Sequence, residues 1–184
     1  AGENYLYTGT TPLTGPVRSF LQWNTGPIEG RNVSAATLRL YQVWSGAGGC
    51  TASPVTVQGA AHIGASITWN SQPARDGVTW GSANTAGDQT ACPAQVGQKP
   101  INVTGLVSQW AADSSTLGNM AVLASETNSS HAKGFYSGET GLGTPLLEVT
   151  YFTTPGTPTE LSYQGNPVID TLRPVFSARF PGGD

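Results

Sequence analysis

The run Ala36-Thr-Leu-Arg-Leu-Tyr-Gln-Val-Trp44 decides the fold class. Leu38 and Leu40 fall on one side of an extended chain, and Thr37 and Arg39 on the other. That period of two is the mark of a half-buried strand. The alternation returns near residue 150, where Leu147, Val149 and Tyr151 interleave with Glu148 and Thr150. Working outward, β-branched and aromatic runs bordered by turn residues predict further strands near 4–8, 17–24, 54–61, 66–70, 99–103, 119–125 and 132–137. The two alternating runs themselves cover 35–44 and 145–152. One helix is expected over Thr104–Asp113, opened by a capping Thr104, with Leu106, Val107 and Trp110 on one face. The pattern therefore reads as an all-β chain: an antiparallel, jelly-roll-like β-sandwich with one short helix crossing its end.

Composition agrees. The chain has 184 residues, enough for one domain with a real core, and only 10% of them are charged. Its polarity comes from Thr, Ser, Asn and Gln, with 24 Gly to turn the chain between strands. The eight basic residues are scattered and the net charge is −3, which leaves no electrostatic footprint for nucleic acid. No apolar run approaches the length of a spanning helix, so membrane insertion is not expected either. Partners should be neutral or weakly charged.

Cys50 and Cys92 are the two cysteines of the chain. Neither belongs to a Cys-x-x-Cys pair or neighbours a His, so they do not read as metal ligands. Both lie in loops rich in Gly, Ser, Ala and Pro, and a disulfide between them is the favoured reading. Closing that loop would stabilise the fold by about 4 kcal/mol in the chain-entropy model. A disulfide in turn points to an oxidising compartment, secreted or cell-surface. The opening AGENYLY carries no signal-peptide pattern, as expected of a mature protein or an excised domain. Asn32, Asn102 and Asn128 begin glycosylation sequons of the kind that chance supplies in such a chain.

Three segments are expected. Residues 1–152 form the sandwich, and 153–159, with two Pro and a Gly among threonines, form a linker. Residues 160–184 contain two strand-like runs and are too short for a domain. They read either as the start of a following immunoglobulin-like or fibronectin-like domain or as strands added to the sandwich edge.

The phrases Arg18-Ser-Phe-Leu-Gln-Trp23, Ala36–Tyr41, Thr68-Trp-Asn-Ser-Gln-Pro73, Val103–Trp110, Phe135–Glu139 and Pro145–Tyr151 occur in that order along residues 3–152. Together they resemble the DNRLRE-type β-sandwich domains of secreted bacterial and archaeal proteins, a group overlapping a family of carbohydrate-binding modules. The chain departs from that pattern at Leu146, where relatives usually carry Arg, and in its short opening Glu3-Asn4-Tyr5. Its few basic residues also argue against the acidic polysaccharides some relatives bind. The resemblance implies a non-catalytic carbohydrate-binding module of a secreted or cell-surface bacterial multidomain protein. The partners so implied are a polysaccharide and the other domains of the parent chain. Two alternatives are a structural spacer or stalk domain and a protein-binding adhesive module without a glycan ligand.

Candidate site residues follow from the aromatic inventory, since sugar faces stack on indole and phenol rings. Trp23, Trp69 and Trp110 sit at apolar positions of strand or helix phrases and are expected in the core. Trp44 and Trp80 lie at a strand end and in a loop, and are the expected ligand-binding pair, with Tyr41, Arg75 and Asp76 as company. The competing reading is that both rings cap the ends of the sandwich. Arg18 and Arg39 read as cross-strand partners of Glu139 or Glu148. No catalytic residues are assigned, because no Gly-x-Ser-x-Gly elbow is present and no pair of carboxylates stands out. No cofactor or metal is expected, apart from the low expectation of a structural Ca²⁺ assembled from distant loops.

Overall fold

The computed structural model describes residues 4–11, 15–46, 50–139 and 141–153, together with the backbone of 160–164 and 175–179. Ten strands precede the tail: β1 (Tyr5–Thr11), β2 (Gly15–Val17), β3 (Ser19–Asn24), β4 (Asn32–Ser45), β5 (Ser53–Gly59), β6 (Gly81–Thr85), β7 (Gly97–Asn102), β8 (Leu117–Leu123), β9 (Lys133–Tyr136) and β10 (Leu146–Phe152). The helix α1 covers Thr104–Ala112. All pairings are antiparallel, and two sheets result.

The first sheet runs β7-β4-β9-β1-β2 and the second β6-β5-β8-β3. Eight strands thus interleave as 7-4-9-1 over 6-5-8-3, the strand order of a jelly roll. The sandwich read from the alternation is borne out. The long β4 pairs with β7 along one edge and, along the other, with β10 and then β9. Leu38 and Leu40 of β4 point inward with Val55 and Val57 of β5, Met120 and Val122 of β8, Ile101 and Phe135, and all are essentially removed from water. Burial of each such side chain stabilises the fold by about 1.5–3 kcal/mol. Leu106, Val107 and Trp110 of α1 close one end of this core, as their spacing predicted.

Four local readings need correction. The run 66–70 is no strand; Trp69–Ser71 form a 3₁₀ turn in which the Thr68 and Ser71 side chains cap each other's ends. Two Ser and an Asn hold that segment in a turn more readily than Ile67 and Trp69 extend it. The strand β6, Gly-Ser-Ala-Asn-Thr, was not expected, because its composition is that of a turn and only pairing with β5 extends it. The first turn of α1 is served by Asn102 rather than Thr104: Asn102 Oδ1 accepts from Thr104 N at 3.0 Å. Thr104 Oγ1 is used instead to accept from Ala36 N at 2.9 Å, tying the helix to β4. Trp69, finally, is not in the core but 54% exposed.

Cys50 and Cys92 form a disulfide with Cα atoms 5.5 Å apart. It joins the β4–β5 and β6–β7 connections at one end of the sandwich. Arg39 pairs with Glu148 at 2.7 Å, one of the two expected partners. Arg18 pairs instead with Glu126 of the β8–β9 connection. In the tail, β11 (Glu160–Gln164) and β12 (Val175–Arg179) form a two-stranded antiparallel sheet of their own. The expected linker lies, from residue 154, outside the described residues. No helix is long and apolar enough to cross a membrane among the described residues.

Candidate functional site

The outer face of the first sheet is aromatic. On β1, Leu6 packs inward and Tyr5 and Tyr7 stand outward, 37% and 40% exposed. On β9, Phe135 is core and Tyr136 is outward. On β4, Leu38, Leu40 and Gln42 point inward, so strict alternation would bury Trp44 as well. A β-bulge prevents that. Gln42 pairs with Phe135 and Trp44 with Gly134, leaving Val43 as the extra residue. The bulge turns Trp44 onto the outer face, the side that Tyr41 occupies.

Five rings then touch in a chain across three strands. Trp44 meets Tyr7 edge-on with centroids 5.8 Å apart, and Tyr7 meets Tyr5 at 5.9 Å. Tyr5 stacks on its cross-strand partner Tyr136 at 5.8 Å, and Tyr136 meets Tyr41 at 5.5 Å. Two glycines make room for them. A Cβ at Gly134 would lie 3.0 Å from Tyr7 Cε1 and 3.1 Å from Trp44 Cβ. At Gly143, whose φ is +152°, it would lie 2.8 Å from Tyr41 Cβ.

A polar wall borders the rings. A cleft of about 180 Å³ lies between Tyr5, Tyr7 and Trp44 on one side and Asp88, Gln89 and Thr90 on the other. Gln89 is held by its backbone N–H, which donates to Val43 O at 3.1 Å, and its amide donates to the Tyr136 hydroxyl at 3.2 Å. Asp88 accepts from the backbone N–H groups of Ala91, Thr90 and Ser45. The Ala91 hydrogen bond foremost, with those of Thr90 and Ser45, holds its carboxyl below the usual range. The Cys50–Cys92 disulfide anchors this loop, since Cys92 N donates to Asp88 O at 2.9 Å.

Of the five predicted site residues, Trp44 and Tyr41 belong to this face. Trp80, Arg75 and Asp76 are gathered elsewhere, beside α1 and the β5–β6 connection. There Trp80 Nε1 donates to Asp76 Oδ2 at 2.6 Å, and the indole packs over Gly105. Asp76 Oδ1 also accepts from Val78 N, so both carboxylate oxygens brace the loop. Trp80 is half-buried against the core, nearer the end-cap reading than the ligand one. Arg75 is exposed. Tyr5, Tyr7, Tyr136 and Gln89 were not foreseen as site residues. The two-residue spacing of Tyr5 and Tyr7 was the available signal, since it puts both on one face of a strand. Among the described residues no three His, Cys, Asp or Glu side chains group to hold a metal.

An aromatic face with fixed polar groups at its rim is thus carried on a jelly roll, an architecture that lectin domains share with viral capsid proteins and cupins. The match to known families goes further. The chain belongs to carbohydrate-binding module family 96, whose family model covers residues 1–151. No curated protein is similar enough to the chain to serve as a relative. The disulfide fits an extracellular protein.

Proposed function

We propose that the sandwich binds a neutral polysaccharide on the outer aromatic face of the first sheet, as the non-catalytic module of a secreted or cell-surface multidomain protein. The observation that carries the reading is the bulge at Val43, which turns Trp44 out of the core to join Tyr5, Tyr7, Tyr41 and Tyr136. Pyranose rings present apolar C–H faces that stack on such rings, while Gln89 and Thr90 meet hydroxyls. The charge nearest the cleft is the Asp88 carboxylate, which repels acidic sugars and favours uncharged ones. The test is retention on a panel of immobilised polysaccharides, with Trp44→Ala and Tyr7→Ala beside the parent. Retention of the parent on a neutral glycan, weakened about tenfold or more in both variants, is expected. Failure of the folded parent to bind any glycan would refute the reading.

The spacer reading rests on a separate observation. The family match ends at residue 151, yet β11 and β12 continue the chain as a further antiparallel pair. These strands fit the start of a neighbouring domain, which the sandwich would then carry as well as bind sugar beside. A longer chain carrying residues 1–184 would show a second unfolding transition if that domain exists.

A further inference from the structure

The β5–β6 connection carries a further exposed tryptophan, and nothing in the aromatic face accounts for it. Trp69 is 54% exposed, yet it is fixed twice. Its turn is locked by Thr68 N donating to Ser71 Oγ at 2.9 Å, and the Arg18 guanidinium lies 5.4 Å from its ring centroid. Arg18 is fixed in turn, donating to Glu126 through Nη2 at 2.6 Å and to Gln72 Oε1 through Nη1 at 2.8 Å. Next to this cluster is a pocket of about 440 Å³ lined by Arg18, Gln58, Gln72 and Arg75. The Arg18 charge is matched by Glu126. Arg75 forms no direct ion pair among the described residues, though after the Arg18 hydrogen bond its charge helps hold Glu126 below the usual carboxylate range, and its side chain makes a 3.4 Å hydrogen bond to Gln58 Oε1. Both glutamine oxygens are thereby used as acceptors, which leaves the side chains of the pocket rich in N–H donors.

We infer that this pocket is a second saccharide site, taking a pyranoside whose oxygens accept hydrogen bonds from Arg75, Gln58 and Gln72 while its ring packs on Trp69. The inference rests on the saccharide-binding reading above. A preorganised aromatic beside a concave, donor-lined pocket loses little freedom on binding, the condition that favours a small polar ligand. Placement gives the site its consequence. Val55 and Val57 point into the core, so Gln58 stands on the outer face of the second sheet. The two sites therefore occupy opposite faces of the sandwich, and one module can bridge two polysaccharide chains.

The experiment combines affinity electrophoresis with the turbidity of protein–polysaccharide mixtures, on a neutral glucan, a neutral mannan and a polyuronate. The parent, Trp44→Ala, Trp69→Ala, Arg75→Gln and the Trp44→Ala/Trp69→Ala pair are compared, each checked for folding by circular dichroism. Two sites predict that each single tryptophan variant is still retained but no longer produces turbidity, and that the double variant is not retained. Added to Trp44→Ala as a further double variant, Arg75→Gln, whose side chain makes no hydrogen bond to Trp69 or Glu126, weakens the remaining binding by about tenfold. Whether that residual binding favours the uronate or a neutral chain separates a carboxylate acceptor from hydroxyls. Trp69→Ala and Arg75→Gln indistinguishable from the parent, with Trp44→Ala unretained, would remove the second site and leave the first. Retention lost in Trp69→Ala but intact in Trp44→Ala would keep the pocket and overturn both the aromatic face and bridging. A parent retained by no glycan would overturn both sites.

Discussion

Lys133 offers the sharpest test of the energetics. It lies on β9 two residues before Phe135, is fully buried, and its Nζ has no hydrogen-bond partner among the described residues. Its strand neighbours are Thr8 and Ser45, neither of them charged. Burial pushes the amine down to about 8. An unfolded lysine titrates near 10.4, and each pH decade between the two values is worth about 1.4 kcal/mol. The folded state therefore carries a penalty of about 3 kcal/mol at neutral pH, complete below the folded value. Between about pH 8 and 10.4 the unfolded chain holds more protons than the native one, so stability rises with pH across that window. Lys133→Met keeps the apolar stem and removes the charge. Its expected effect is a gain of up to about 3 kcal/mol at pH 7, shrinking towards zero near pH 10.5 as the parent amine loses its proton. Urea unfolding of parent and variant at a series of pH values measures the difference, in which the other titrating groups cancel. A variant less stable than the parent at pH 7, or a difference that does not change with pH, would refute the reasoning.

Two further outcomes are expected. Gly134→Val should displace the Tyr7 ring and the Trp44 side chain, whose Cε1 and Cβ lie 3.0 and 3.1 Å from where its Cβ would be, and cost about 1–3 kcal/mol in overpacking. A changed near-ultraviolet circular dichroism spectrum and weakened glycan retention check it. Replacing both cysteines by Ala should cost about 4 kcal/mol in urea unfolding, because the bridge spans 42 residues. It should also weaken retention, since the bridge anchors the loop that carries Asp88, Gln89 and Thr90.

The sandwich was legible in the sequence. Alternation in Ala36–Trp44 and Leu147–Tyr151 reports which face of a strand is buried, and the spacing of Leu106, Val107 and Trp110 reports the helix. These are local signals, set by backbone geometry within a few residues. The cysteine pairing was legible for a related reason, as two cysteines in like loops leave few other uses for their thiols. β6 was hidden because its extended form comes from β5 and not from its own side chains. The proposed recognition surface was less legible. Whether Trp44 faces the core or the solvent depends on one unpaired residue, Val43, and only pairing with β9 creates that bulge. Trp69 reads as a strand residue until Ser71 folds back to cap Thr68 and Arg18 comes over its ring from another part of the chain. Five rings on three strands and two arginines across a pocket are brought together by register and sheet order, which sum over the whole chain. Helical spacing is enough to place Trp110 in the core, but the exposure of Trp69 and the joining of the five rings needed the tertiary structure.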